Sequence, residues 1–168
     1  LFRVTTVGAG RINPRYTYRL ERAVKECSSF RVDGQADTAL VVISRASGEN
    51  YDNNAVPGEF YLSEEEREMI AGLRRECKAL VAIINSGYPM DLRWLEEYAV
   101  DAAVWCGFSG MLGGKALVEI LDGRVNPSGK LPDTWSLDYT DIPASKNFYQ
   151  PVRPEEALGA DVEDYIDT

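Results

Sequence analysis

The sequence predicts an α/β fold, a mainly parallel sheet sandwiched between helices. Two apolar runs of strand length, "ALVVI" at 39–43 and "ALVAII" at 79–84, are nearly continuous in β-formers, the pattern of strands covered on both faces. Between and around them lie segments whose apolar residues recur at helical spacing. Strands alternating with helices imply crossover connections and hence a parallel sheet.

Taken in order, "FRVTTVGAG" reads as a short strand running into a glycine loop, and Asn13-Pro14 as an N-cap with proline in the first helical turn. Tyr16, Leu20, Ala23, Val24 and Cys27 keep one face, which predicts a helix over 14–27. "TALVVIS" is the clearest buried strand and leads into a polar loop. "LSEEERE" carries a capping box, Ser63 with Glu66 three residues on, and Leu62, Met69, Ile70, Leu73 and Cys77 continue as the apolar stripe of a helix reaching residue 77. "LVAIINSG" is the next strand, broken at Gly87-Tyr88-Pro89. A short helix over "MDLRWLEEYA", a strand over "DAAVWCG" and a helix over "GGKALVEILDG" follow, with Gly123 suited to the left-handed position after the helix. The turn-rich stretch "RVNPSGKLPDTW" closes the packed part. The expected organisation is a sandwich domain at 1–135 and an extended, acidic, proline-containing tail at 136–168. Neither repeats nor low-complexity tracts occur.

Several function classes are excluded or disfavoured. With 168 residues, 45% of them hydrophobic and 27% charged, the chain has the balance of one globular domain. A net charge of −9 and a pI near 4.6 disfavour nucleic acid as a partner. Neither apolar run approaches the roughly 20 residues of a membrane helix, so no membrane partner is expected. The chain begins at Leu1 rather than Met without a secretory signal; localisation is left open, with the cytoplasm slightly favoured. Cys27, Cys77 and Cys106 are far apart, without metal-site spacing, and are expected as small buried thiols. No histidine is present, which removes Ser-His-Asp, Cys-His and histidine-zinc chemistry and leaves carboxylates or lysines. No metal or other cofactor is expected.

The loop after the strand at 38–44 is the leading site on topological grounds, because open parallel sheets bind ligands at the carboxyl ends of their strands. Ser47-Gly48-Glu49-Asn50 falls there, and Glu49 is either a catalytic carboxylate or a solvated loop acid paired with Arg45. "VGAGR" begins like a phosphate loop, but Asn13 stands where the dinucleotide fingerprint needs its third glycine, so Gly8 and Gly10 read as a tight turn. Lys130 reads as a solvated turn lysine. Trp94 and Trp105 read as core residues, and Trp135 as the most open of the three tryptophans.

"GAGRINPRYTYRLERAVKE" (8–26), "ALVVISRASGENYD" (39–52), "GEFYLSEEEREMI" (58–70), "VAIINSGYPMDLRW" (81–94) and "EILDGRVNPSGKLPDTW" (119–135) run in order through most of the chain. Together they resemble the C-terminal α/β sandwich domain of glycoside hydrolase family 3, the β-glucosidase and β-xylosidase family. The resemblance implies a retaining glycosidase, most closely a β-glucosidase, acting on β-glucosides or oligosaccharides with terminal β-linked sugars. It implies an aspartate nucleophile on a separate (β/α)8 barrel domain, in cis or in trans, absent from these residues. The glutamate of the S-G-E motif, Glu49, would be the acid/base. Ser47, Gly48, Asn50 and Tyr51 would form the rim near the leaving group, and Arg45 and Asp52 would shape the loop.

The chain departs from the family pattern in places. Ala9 stands where the first glycine loop usually has a serine, which removes a hydroxyl contact. Met111-Leu112 replaces a common Gln-Glu pair and is open either to facing a partner or to packing. The link from Glu26 to the strand at 38 is short for this branch. The alternative reading, from a different class, is a non-catalytic carbohydrate-binding or interaction module lacking its barrel, with the tail as a docking segment.

Overall fold

A computed structural model describes residues 15–30, 36–46 and 53–146. Within them, α1 (Leu20–Glu26), β1 (Thr38–Ser44), α2 (Glu64–Glu76), β2 (Ala79–Asn85), α3 (Arg93–Glu97), β3 (Ala102–Trp105) and α4 (Gly113–Leu121) follow the expected alternation. The three strands form one parallel sheet in the order β1-β2-β3. The two-residue side-chain period divides them between two layers. Ala39, Val41 and Ile43 of β1 and Leu80, Ala82 and Ile84 of β2 pack with Ile70 of α2 and Trp94 of α3. Val42 and Ile83 point the other way, against Leu20 and Ala23 of α1 and Leu117 and Val118 of α4. Helices thus cover both faces, which is why the strands read as continuous apolar runs. Burying an aliphatic side chain fully is worth roughly 1.5–3 kcal/mol, so Ile43, Ile70, Leu80 and Ile83 anchor the sandwich.

The start of α2 is fixed by its own sequence. Ser63 Oγ accepts from the Glu66 amide, and a Glu66 carboxylate oxygen accepts from the Ser63 amide at 2.9 Å, the capping box anticipated above. At its far end the Arg74 guanidinium donates to the carbonyls of Cys77 and Lys78, acceptors that would otherwise lack helical partners. Gly123 has φ +80°, the left-handed conformation anticipated for the residue after α4.

Three expectations need correction. The first helix is shorter than 14–27: it spans Leu20–Glu26, and residues 16–19 are not helical. The cause is tertiary. The Tyr18 amide donates to the Met111 carbonyl at 2.7 Å and the Tyr18 carbonyl accepts from the Gly114 amide at 3.1 Å, so this stretch is committed to the start of α4. The two segments approach so closely that a Cβ on Gly114 would lie 2.4 Å from the Tyr18 carbonyl oxygen. The expected Asn13-Pro14 cap, the strand over "FRVTTVGAG", Ala9 and part of the short link (31–35) lie outside the described residues.

The second correction concerns the tail. Packed structure does not stop at 135: Tyr139–Asp141 and Pro143–Lys146 form 3-10 turns, and Tyr139 is buried. Its ring meets Phe60 edge-on with centroids 5.5 Å apart, so an aromatic contact overrides the acidic, proline-rich composition. Residues 147–168 lie outside the described residues. Third, Cys27, Cys77 and Cys106 are free but only half-buried. Trp94 is fully buried as expected, whereas Trp105 and Trp135 are half-buried and pack edge-on with centroids 5.7 Å apart.

Candidate active site

The carboxyl ends of the strands are tied together by one buried amide. Ser44 Oγ donates to Asn85 Oδ1 at 3.0 Å, and Asn85 Nδ2 donates to the Gly107 carbonyl at 2.6 Å, so the Asn85 side chain bridges the ends of β1, β2 and β3. Next to it, Trp105 Nε1 donates to the Ser86 carbonyl at 2.6 Å and Ser86 Oγ donates to the Tyr88 carbonyl at 2.8 Å. Asn85 and Ser86 are fully buried, a setting in which polar groups are tolerated only when hydrogen-bonded. The result is a rigid floor beneath the loops that leave this edge.

Arg45, the first residue beyond β1, is 3% exposed, an unusual depth for an arginine. Nε donates to the Glu59 carbonyl at 2.7 Å; Nη1 donates to the Ser44 carbonyl at 3.1 Å and to Glu66 Oε1 at 2.7 Å; Nη2 donates to the Tyr61 carbonyl at 3.2 Å and to Glu66 Oε2 at 2.7 Å. A guanidinium has five N–H donors, and all five are used. Among the described residues its ionic partner is Glu66, held in a bidentate pair; Glu49 lies outside them. Glu66 therefore serves twice, closing the capping box of α2 and neutralising the buried arginine at the root of the loop.

The chain re-enters the described structure at Asn53, and this side is also held. The Tyr139 hydroxyl donates to the Asn53 carbonyl at 3.0 Å. The backbone amide and Nδ2 of Asn54 both donate to Glu59 Oε2, at 2.6 and 2.8 Å. Residues 54–61 form a compact turn in which the Phe60 amide donates to the Asn54 carbonyl at 3.2 Å and the Gly58 amide to the Tyr61 carbonyl at 2.8 Å. Gly58 has φ +86°, a conformation that disfavours any side chain. Asn53 Oδ1 is buried with no hydrogen-bond partner, a placement that costs about 1–3 kcal/mol and that the neighbouring contacts must hold.

Charges on this edge are locally compensated. Asp91, nearly buried, accepts from the amide of Arg93 and from its Nε and Nη2, at 2.8–3.0 Å. That pairing raises Arg93 above its usual range. Asp138 accepts from the Thr140 amide and hydroxyl and from the Tyr61 hydroxyl, and these bonds, led by the Thr140 amide, hold its carboxyl below the usual range. Beyond β3, burial pushes the Cys106 thiol up to about 11.

Of the residues assigned from sequence to the acid/base loop and the glycine loop, Arg45 is the one the structure describes. Ser47, Gly48, Glu49, Asn50, Tyr51, Asp52, Gly8 and Gly10 lie outside the described residues. The structure adds Glu59, Glu66, Asn85 and Tyr139. Glu66 was legible as a cap, but not in its second role, because nothing in the sequence marks Arg45 as buried; Tyr139 gave no signal, because its contact spans 86 positions. Lys130 is exposed, as are Met111 and Leu112 at 42% and 50%. Among the described residues, no cluster of three His, Cys, Asp or Glu side chains could hold a metal, and no helix is long and apolar enough to cross a membrane.

With sheet, floor and loop roots in place, the chain belongs to glycosyl hydrolase family 3: residues 10–165 match the model of that family's C-terminal domain. It is similar to a beta-glucosidase from Ruminococcus albus, 35% identical over 119 residues that make up 71% of this chain and 13% of the relative. A probable beta-glucosidase M from Aspergillus flavus is 33% identical over 76% of this chain and 16% of its own length. Among solved structures, beta-glucosidase 3B from Thermotoga neapolitana in complex with glucose superposes with a TM-score of 0.78 at 27% identity, covering 93% of this chain and 28% of that one. A beta-glucosidase from Paenibacillus barengoltzii gives a TM-score of 0.65 at 28% identity over 80% of this chain and 14% of its own. The chain thus spans between about an eighth and somewhat over a quarter of the length of these relatives.

Proposed function

We propose that this chain is the acid/base-bearing domain of a retaining β-glycosidase, most specifically a β-glucosidase, with Glu49 as the acid/base. The nucleophile is then an aspartate on a (β/α)8 barrel outside these 168 residues, and the substrate a β-glucoside or oligosaccharide with a terminal β-linked sugar. The observation that carries this reading is the pair of anchors around the S-G-E motif. Glu49 stands four positions after Arg45 and four before Asn53; Arg45 is fixed at the carboxyl edge of the sheet, and the Asn53 carbonyl is held by the Tyr139 hydroxyl. Family membership and relatives named beta-glucosidases support the same reaction class.

The chemistry fits the residues. Retention requires two carboxyl groups about 5–5.5 Å apart, one ionised to attack the anomeric carbon and one protonated to donate to the departing oxygen. Glu49 protonates the glycosidic oxygen as the C–O bond breaks, then removes a proton from the water that releases the sugar from the nucleophile. Placing the two groups on different domains lets their contact exclude water and raise the acid's pKa. Ser47, Gly48, Asn50 and Tyr51 line the leaving-group side, while Arg45 and Asp52 shape the loop.

The test is leaving-group dependence in the full-length enzyme. Glu49→Ala is expected to depress kcat/KM on alkyl β-glucosides or cellobiose by about 10²–10⁴-fold, the usual worth of general acid catalysis. The loss on 2,4-dinitrophenyl β-glucoside should be far smaller, because that leaving group departs without protonation. Equal loss on both substrates would remove the assignment.

A further inference from the structure

We propose that Tyr139 is a positioning residue for the acid/base loop: its hydroxyl fixes the Asn53 carbonyl and so sets where the segment carrying Glu49 rejoins the core. The inference rests on the reading of Glu49 given above and adds a residue from a part of the chain whose composition marks it as a tail.

The loop has two roots of different construction. On the entry side, Arg45 is held by five hydrogen bonds, two of which form its ion pair with Glu66. On the exit side the backbone of Asn53 accepts from Tyr139 at 3.0 Å, and its own side-chain oxygen makes no hydrogen bond. Tyr139 is itself locked. Its ring packs edge-on against Phe60, which is fully buried. Its 3-10 turn is closed by Asp138 and Asp141 in a capping box, and Asp138 also accepts from the Tyr61 hydroxyl at 3.4 Å. Phe60 and Tyr61 belong to the same compact turn whose carbonyls at 59 and 61 receive Arg45. Both roots are therefore tied to one rigid element, and Tyr139 couples the segment after the sandwich to it. Glu49 stands four positions before Asn53 in the sequence, so this root is close to it along the chain. Displacements of about 1 Å can cost two orders of magnitude in rate.

A purely structural Tyr139 would act through its ring, and Tyr139→Phe separates the two roles by removing the hydroxyl alone. In the full-length enzyme, this variant is expected to lose about 10-fold or more in kcat/KM on an alkyl β-glucoside and less than about 2-fold on 2,4-dinitrophenyl β-glucoside, because a misplaced acid matters only where protonation limits the rate. Deuterium uptake by the amides of residues 47–52 should quicken in the same variant, with the melting temperature nearly unchanged. Unchanged uptake, or an equal effect on both substrates, overturns the inference. Glu49→Ala measured alongside distinguishes the two readings. If it shows the leaving-group signature and Tyr139→Phe does not, positioning fails while the acid/base assignment stands. If Glu49→Ala depresses both substrates equally, the assignment fails first and Tyr139 loses its catalytic role with it.

Discussion

Arg45 and Glu66, 21 positions apart, meet in a bidentate pair with both N–O distances at 2.7 Å, and the arginine is almost wholly removed from solvent. This contact joins the loop after the first strand to the first turn of the following helix. It also explains why a polar motif can leave a buried strand without loosening it: each donor of the guanidinium is met by a fixed acceptor. Removing the carboxylate strands a buried cation. Glu66→Ala is therefore expected to destabilise the chain by about 3–5 kcal/mol, more than the ~1 kcal/mol of a lost helix cap alone. Urea unfolding of the 168-residue chain measures it, and Ser63→Ala provides the cap-only reference.

A second prediction concerns the contact between α1 and α4. Alanine at Gly114 would place its Cβ 2.4–2.6 Å from backbone atoms of Tyr18, Arg19 and Leu20, none of which can turn aside as a side chain tip would. Gly114→Ala should thus cost about 1–3 kcal/mol despite alanine's better helix propensity. Gly129→Ala, in open surroundings, should change the urea midpoint little. A neutral Gly114→Ala would mean that the two helices separate easily.

Trp94 supplies a third test. Its ring is fully buried in the layer shared by α2, α3 and the sheet, yet Nε1 has no hydrogen-bond partner. Trp94→Ala should destabilise by about 3–5 kcal/mol through the cavity it leaves. Trp94→Phe should cost markedly less, because loss of ring area is offset by removal of an unsatisfied donor. Similar costs for the two variants would show that the indole N–H is in fact satisfied.

The pH dependence of stability provides a fourth. Burial raises the Cys106 thiol from its ordinary 9.0 to about 11, so the folded chain holds this proton more tightly than the unfolded one. The contribution is complete below about pH 9 and is lost as pH rises towards 11, since over that range the unfolded state has released a proton that the folded state retains. Cys106→Ala should therefore lose less stability between pH 8 and pH 10.5 than the parent chain, as read from urea midpoints. Parallel pH profiles would contradict the assignment.

Sequence patterning exposed the sheet because strands covered on both faces are apolar along most of their length, as "ALVVI" and "ALVAII" are. The α2 start was equally legible, since Ser63 and Glu66 satisfy backbone groups three residues apart. What could not be read was set by distant partners. Residues 16–19 carry helical spacing but surrender it to hydrogen bonds with the start of α4, and Tyr139 packs because Phe60 is there to receive it. The candidate site divides in the same way: the S-G-E motif is a local signal, whereas the five acceptors of Arg45 and the Asn53–Tyr139 contact arise only when loops from three parts of the chain converge.

The most direct test of the central claim is the product formed by the full-length Glu49→Ala enzyme with 2,4-dinitrophenyl β-glucoside and sodium azide. If Glu49 is the acid/base, its removal leaves the glycosyl-enzyme stranded without a base, and a small anion that needs no deprotonation should restore turnover and yield β-glucosyl azide. No rescue, or an azide of the α configuration, would contradict the account.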